Sequence, residues 1–166
     1  MRASEEETHD EIESERSDKE TQRIKQLIQM NTYDNGETLN LAGNKLGDAG
    51  IEILSETLKD TSLKRIDLFA NQLTSKSVPF LIKIIQNNPN LETLGLGSNY
   101  LKRKGSRKIL NDLNKYDNSI LFIEGLKLNE EEREKLKKIY KRNENKVKND
   151  FKNFENYKDI KIFYNK

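Results

Sequence analysis

The 166-residue chain contains no cysteine and a single histidine. Without thiols there can be no disulfide framework, no thiolate zinc site and no cysteine nucleophile. The one imidazole, His9, stands in an acidic stretch, which excludes Ser-His-Asp catalysis and multi-histidine metal centres. No apolar run approaches the ~18 residues needed to cross a bilayer. The first twenty residues lack the hydrophobic segment of a cleavable signal peptide, and there is no Asn-x-Ser/Thr acceptor. Charge of one sign is also missing: 30 Lys+Arg against 28 Asp+Glu leave +2, too balanced to point to nucleic acid or a membrane. The expectation is a cytoplasmic, non-enzymatic protein with no cofactor and no metal.

Charge and composition divide the chain. Residues 1–20 hold nine acids and three bases, with Ile12 as the only large aliphatic side chain. Such a segment buries too little to offset chain entropy, so residues 1–17 read as a disordered acidic tail. Ser17-Asp-Lys-Glu20 fits a capping box that would open a helix, with Ile24, Leu27 and Ile28 on one face. Residues 127–166 carry thirteen bases and eight acids. Residues 143–166 read as a basic, aromatic cap or tail in which Phe151, Phe154, Tyr157, Phe163 and Tyr164 are concentrated.

Between the ends lies a repeat. Leu39-Asn-Leu41-Ala-Gly-Asn44-Lys-Leu46, Ile66-Asp-Leu68-Phe-Ala-Asn71-Gln-Leu73 and Leu94-Gly-Leu96-Gly-Ser-Asn99-Tyr-Leu101 share the pattern Leu/Ile-x-Leu-x-x-Asn-x-Leu. Their asparagines fall 27 and then 28 positions apart. A fourth segment, Leu121-Phe-Ile123-Glu-Gly-Leu126-Lys-Leu128, replaces the asparagine with Leu126. After each octapeptide a small or aliphatic residue returns every fourth position: Gly50, Leu54 and Leu58; Ser77, Leu81 and Ile85; Gly105, Ile109 and Leu113. That spacing is one face of an α-helix. Asp48 and Thr74 or Ser75 are the expected N-caps.

These segments resemble the leucine-rich repeats of the ribonuclease-inhibitor type, whose unit is a short strand and a full helix. The resemblance covers about 33–142. It implies an α/β fold, a short right-handed solenoid with parallel strands on the concave face and helices on the convex face. The repeat domain, with an N-terminal cap helix and about four units, spans 18–142. Stacked units must bury one another's leucines. The asparagine column is expected to satisfy backbone groups in the turns rather than to form a polar active site.

Alternation along a strand lets the outward residues be read directly. Asn40, Asp67, Gly95 and Phe122 should form one outward row, and Ala42, Phe69, Gly97 and Glu124 the next. Glu37, Lys64, Glu92 and Ser119 lie just before the strands, followed by Thr38, Arg65, Thr93 and Ile120. Phe69 and Phe122 are aromatic anchors placed where solvation favours polar residues, beside a low floor at Gly95 and Gly97. Lys64, Arg65, Asp67 and Glu92 supply the polar rim. The resemblance implies a scaffold that binds another protein. A monomer is expected, and no nucleic acid, because acids are interspersed among the C-terminal bases and no RNA-binding motif is present. Regulation of a small GTPase, or an actin-capping-like role, is the alternative.

Overall fold

The computed structural model describes residues 8–150, with side chains described to residue 146. Among these residues are five helices, α1 (His9–Met30), α2 (Gly47–Thr57), α3 (Val78–Asn87), α4 (Lys102–Lys115) and α5 (Glu130–Asp150). Five short strands, β1 (Thr32–Tyr33), β2 (Thr38–Asn40), β3 (Arg65–Asp67), β4 (Thr93–Gly95) and β5 (Phe122–Glu124), form one sheet in chain order. β1 runs antiparallel to β2, and β2 to β5 are parallel. The chain is thus an α/β protein in which strand and helix alternate from β2 onward.

The register carries the repeat. Leu39, Ile66, Leu94 and Ile123 lie side by side across the four parallel strands. Each is at most 5% exposed, as are Leu41, Leu68 and Leu96. The helical positions read from the sequence pack behind them, Leu54, Leu58, Leu81, Ile85, Ile109 and Leu113 all lying in the same core. Burying one such leucine stabilises the fold by roughly 1.5–3 kcal/mol.

Polar side chains tie unit to unit. Asn71 is fully buried. Its Oδ1 accepts from the Asn44 N–H at 3.1 Å and the Leu46 N–H at 3.3 Å, and its Nδ2 donates to the Leu41 carbonyl at 2.8 Å. Asn99 repeats the arrangement on the Asn71 and Leu73 N–H groups and the Leu68 carbonyl. Asn88 bridges the other end of the units, from the Thr61 hydroxyl at 2.6 Å to the Leu58 carbonyl at 2.9 Å. The buried turns after β2 and β3 therefore find partners for their amides in the next unit.

Three expectations are corrected. Asp48 does not cap α2, although it stands in its first turn. Its carboxylate reaches the next unit, accepting from the Thr74 N–H at 2.8 Å, the Thr74 hydroxyl at 2.6 Å and the Ser77 hydroxyl. Burial pushes this carboxyl up, but the hydrogen bonds from Ser77 and Thr74 outweigh it and hold the pKa below its ordinary value.

The first helix opens at His9, not at Ser17, so residues 9–17 are helical where a disordered tail was expected. Thr8 and Glu11 form a reciprocal capping box, with the Thr8 N–H donating to Glu11 at 2.8 Å. Ion pairs one turn apart, Glu15 with Lys19 and Glu20 with Arg23, support the exposed turns. Each contributes only about 0.2–0.5 kcal/mol. The cap and pairs supply locally what apolar burial does not.

The fourth unit is shifted by two residues. Ile123, not Leu121, aligns with Leu94, and Phe122 aligns with Thr93 rather than Gly95. Carrying this register forward puts Gly125 opposite Leu96 and Leu128 opposite Asn99. Gly125 has φ +85°, and a Cβ there would lie 2.4 Å from the Leu96 carbonyl carbon. Only glycine permits that backbone approach. The same shift moves Ile120 from the outward row into the core, where it is fully buried.

α5 closes the end of the sheet and runs across position 142. The Tyr140 hydroxyl accepts from the Ile123 N–H at 2.9 Å and lies 3.3 Å from the Ile123 carbonyl, to which it donates. Asn143, fully buried, donates to the Ile120 carbonyl at 2.8 Å. Backbone groups on the last strand thus meet side chains instead of an open edge. The aromatic residues expected in the C-terminal cap or tail, Phe151 to Tyr164, lie outside the described residues, as does the acidic run Glu5–Glu7.

Candidate functional site

The rows of Leu39 and its partners face the helices, so the alternate residues form the other face of the sheet. One row on that outer face runs Tyr33, Thr38, Arg65, Thr93 and Phe122. At ~4.8 Å between strands it spans about 19 Å. The second row is Asn40, Asp67, Gly95 and Glu124. Phe69 and Gly97 follow just beyond the strands.

Phe69 is the large apolar side chain of this face that stays most open away from the edge strand, at 42% exposure. Its position is set from below. A Cβ added to Gly97 would meet Phe69 Cδ2 at 2.9 Å and Glu124 Oε1 at 2.8 Å. One added to Gly95 would meet Asp67 Oδ1 at 2.8 Å. The two glycines are therefore not the open floor expected beside an anchor, since Asp67 and Phe69 lean across and cover them. Asp67 is also held by its own turn, Oδ1 accepting from the Phe69 N–H at 2.9 Å. Asn40 does the same to Ala42 at 3.1 Å. The backbone under Phe69 is thus fixed by the carboxylate two residues before it.

The basic residues have local partners. Arg65 Nη1 lies 3.3 Å from Thr38 Oγ1 and 3.8 Å from Asp34 Oδ2. Lys64 Nζ pairs with Glu37 at 2.7 Å. Glu92 comes next in that line, its N–H donating to the Lys64 carbonyl as the Lys64 N–H does to Glu37. Burial raises the Glu92 carboxyl above the usual range, and Lys64 and Arg65 only partly offset it. Glu92 is thus a half-buried carboxylate beside a cation already committed to Glu37.

The structure puts Arg65 and Asp67 on the outer face of the central strand β3 with Phe69 just beyond its end, and Lys64 and Glu92 along one side. Phe122 is half-buried and stands two strands from Arg65 in the same row, not beside Gly95. Sequence reasoning missed Tyr33, 52% exposed, at the far end of the row from Phe122. A strand of two residues leaves no alternation to detect. It also missed Asp34, which sits in a one-turn helix (Asp34–Gly36) before β2 and reaches Arg65. No helix among the described residues is long and apolar enough to cross a membrane.

No known family profile matches the chain. Among curated proteins it is similar to the human NACHT, LRR and PYD domains-containing protein 14, 38% identical over 82 residues, or 48% of this chain and 7% of that protein. The Mus musculus protein of the same name is 38% identical over 69 residues, 40% of this chain and 7% of that protein. NACHT, LRR and PYD domains-containing protein 5 of Mus musculus is 39% identical over 75 residues, 44% and 6%. The chain therefore spans no more than 7% of the length of these relatives. The similarity is distant and partial, and hints at repeats of the leucine-rich type.

Proposed function

We propose that the protein is a non-enzymatic interaction module, a short leucine-rich-repeat solenoid whose concave surface is the outer face of the sheet and holds a partner protein. The observation that carries this reading is Phe69. An aromatic ring 42% exposed just past the end of a central strand, seated on Gly97 with Asp67 and Glu124 beside it, is costly to leave in water and well placed to enter a pocket. Tyr33 and Phe122 stand at the two ends of the Arg65 row and add further aromatic surface to the same face. The partial likeness to proteins with leucine-rich repeats in their names supports the same reading.

The surrounding polar groups fit recognition better than chemistry. Arg65 and Lys64 are half-exposed and already oriented by Asp34, Thr38 and Glu37, so they reach a partner with little ordering cost.

The experiment is affinity capture from native lysate with the full chain and with an Arg65→Ala/Phe69→Ala variant. The variant is expected to lose the specifically captured proteins while its thermal midpoint moves by only a few degrees. An unchanged set of captured proteins would remove the outer face from consideration.

A further inference from the structure

We propose a second docking surface, on the helical side of the molecule: a cationic cleft that binds an acidic peptide segment of a partner protein. The cleft has a volume of about 760 Å3 and opens between the start of α3, with the one-turn helix (Ser75–Ser77) before it, and residues 103–111 of α4. Its walls carry five cations, Lys76 from one side and Arg103, Lys104, Arg107 and Lys108 from the other. Val78 and Pro79 supply apolar surface, and no carboxylate is among the lining residues.

Three of the five cations are not absorbed by the fold. Glu132 takes Arg107 at 2.8 Å and reaches Arg103 at 3.9 Å. Asp48 and Asp112 lie near enough to feel Lys76 and Lys108. Within ion-pair distance, however, Lys76, Lys104 and Lys108 have no carboxylate among the described residues. Their placement also opposes local stability. Lys102, Arg103 and Lys104 begin α4, which has no acid in its first turn, so positive side chains stand at the positive end of the helix dipole. Arg103, Lys104, Arg107 and Lys108 are all exposed, so nothing in the core requires them.

Size and lining select the occupant. A single small anion would leave most of such a volume empty, whereas several residues of a peptide fill it. No aromatic ring lines the cleft, so single-stranded nucleic acid would find no stacking platform. Cations above an apolar strip match a segment in which acidic and aliphatic residues alternate.

The test is fluorescence anisotropy with a short labelled peptide of alternating Glu and Leu, at ~0.15 M salt. The full chain should bind it and not the peptide with Gln in place of Glu. Lys104→Glu/Lys108→Glu should weaken binding at least about a hundredfold, because like charges then face each other. Its thermal midpoint should be equal to or above that of the natural chain, since Lys104→Glu suits the helix dipole. Arg65→Ala/Phe69→Ala should bind the peptide unchanged, which separates this surface from the sheet face. Absence of binding, unchanged binding by the charge-reversed variant, or tighter binding of an oligodeoxynucleotide or tripolyphosphate would overturn the proposal.

Discussion

Phe69 rests on the backbone of Gly97, whose missing Cβ would lie 2.9 Å from the ring. The exposure of the Phe69 ring therefore depends on a glycine in the next unit. Gly97 has no positive φ, so an alanine there meets no backbone strain. Gly97→Ala should displace the Phe69 ring and the Glu124 carboxylate, both ends of flexible side chains, at a cost of under about 1 kcal/mol. Partner capture should nevertheless fall as it does for Phe69→Ala. Thermal melts and capture on the same sample check the pair of outcomes.

Asn71 and Asn44 occupy the same place in successive repeats but do unequal work. The Asn71 side chain serves N–H and carbonyl groups of the unit before it and is fully buried. Asn44 has no repeat unit before it and donates to the Ala42 carbonyl at 3.2 Å. Leaving buried amides unpaired costs about 1–3 kcal/mol for each group, so Asn71→Ala should lose on the order of 3–5 kcal/mol. Asn44→Ala should lose under about 1 kcal/mol. Urea unfolding of the two variants measures the difference.

Much of this was legible in the sequence. The leucine and asparagine spacing places Leu41, Leu68 and Leu96 in one core because inter-unit contacts need the same side chain at the same offset. The shift in the fourth unit was hidden for a physical reason. A slip of two residues keeps every side chain on its own face, so Leu121-Phe-Ile123 fits the strand pattern equally well in either register. Gly125 decides between them through a backbone contact that no side-chain pattern records. The start of α1 was similarly ambiguous, since Thr8-x-x-Glu11 and Ser17-x-x-Glu20 both satisfy the capping-box spacing. At the candidate site, the exposure of Phe69 followed from strand alternation. The covering of Gly95 and Gly97 did not, because the side chains that lean over them come from another strand.

Glu92 gives the sheet face a pH signature. Its folded pKa is raised, so the native state holds more protons than the unfolded chain between the ordinary value of 4.5 and the folded value. In that window stability from this group falls as pH rises, and the full penalty remains above it. Glu92→Gln should therefore stabilise the protein at neutral pH and bring no gain below about pH 4, where the natural side chain is already protonated. Denaturant midpoints of both proteins across that range test the sign.

The end of the sheet should be sensitive to one hydroxyl. Tyr140→Phe keeps the ring but strips the Ile123 N–H and carbonyl of the oxygen at 2.9 and 3.3 Å. A loss of about 1–3 kcal/mol is expected. Hydrogen exchange at the Ile123 amide should quicken more than at Leu94, one strand inward.

The claim that the sheet's outer face is where a partner sits is tested most directly by site-specific photocrosslinking. A benzophenone amino acid at position 69, with the same group at position 108 on the helical side as control, would be irradiated in native lysate. Discrete adducts from position 69 that vanish when unlabelled natural chain is added in excess, and a different pattern from position 108, are the predicted result. The same adducts from both positions, or none from position 69, would contradict it.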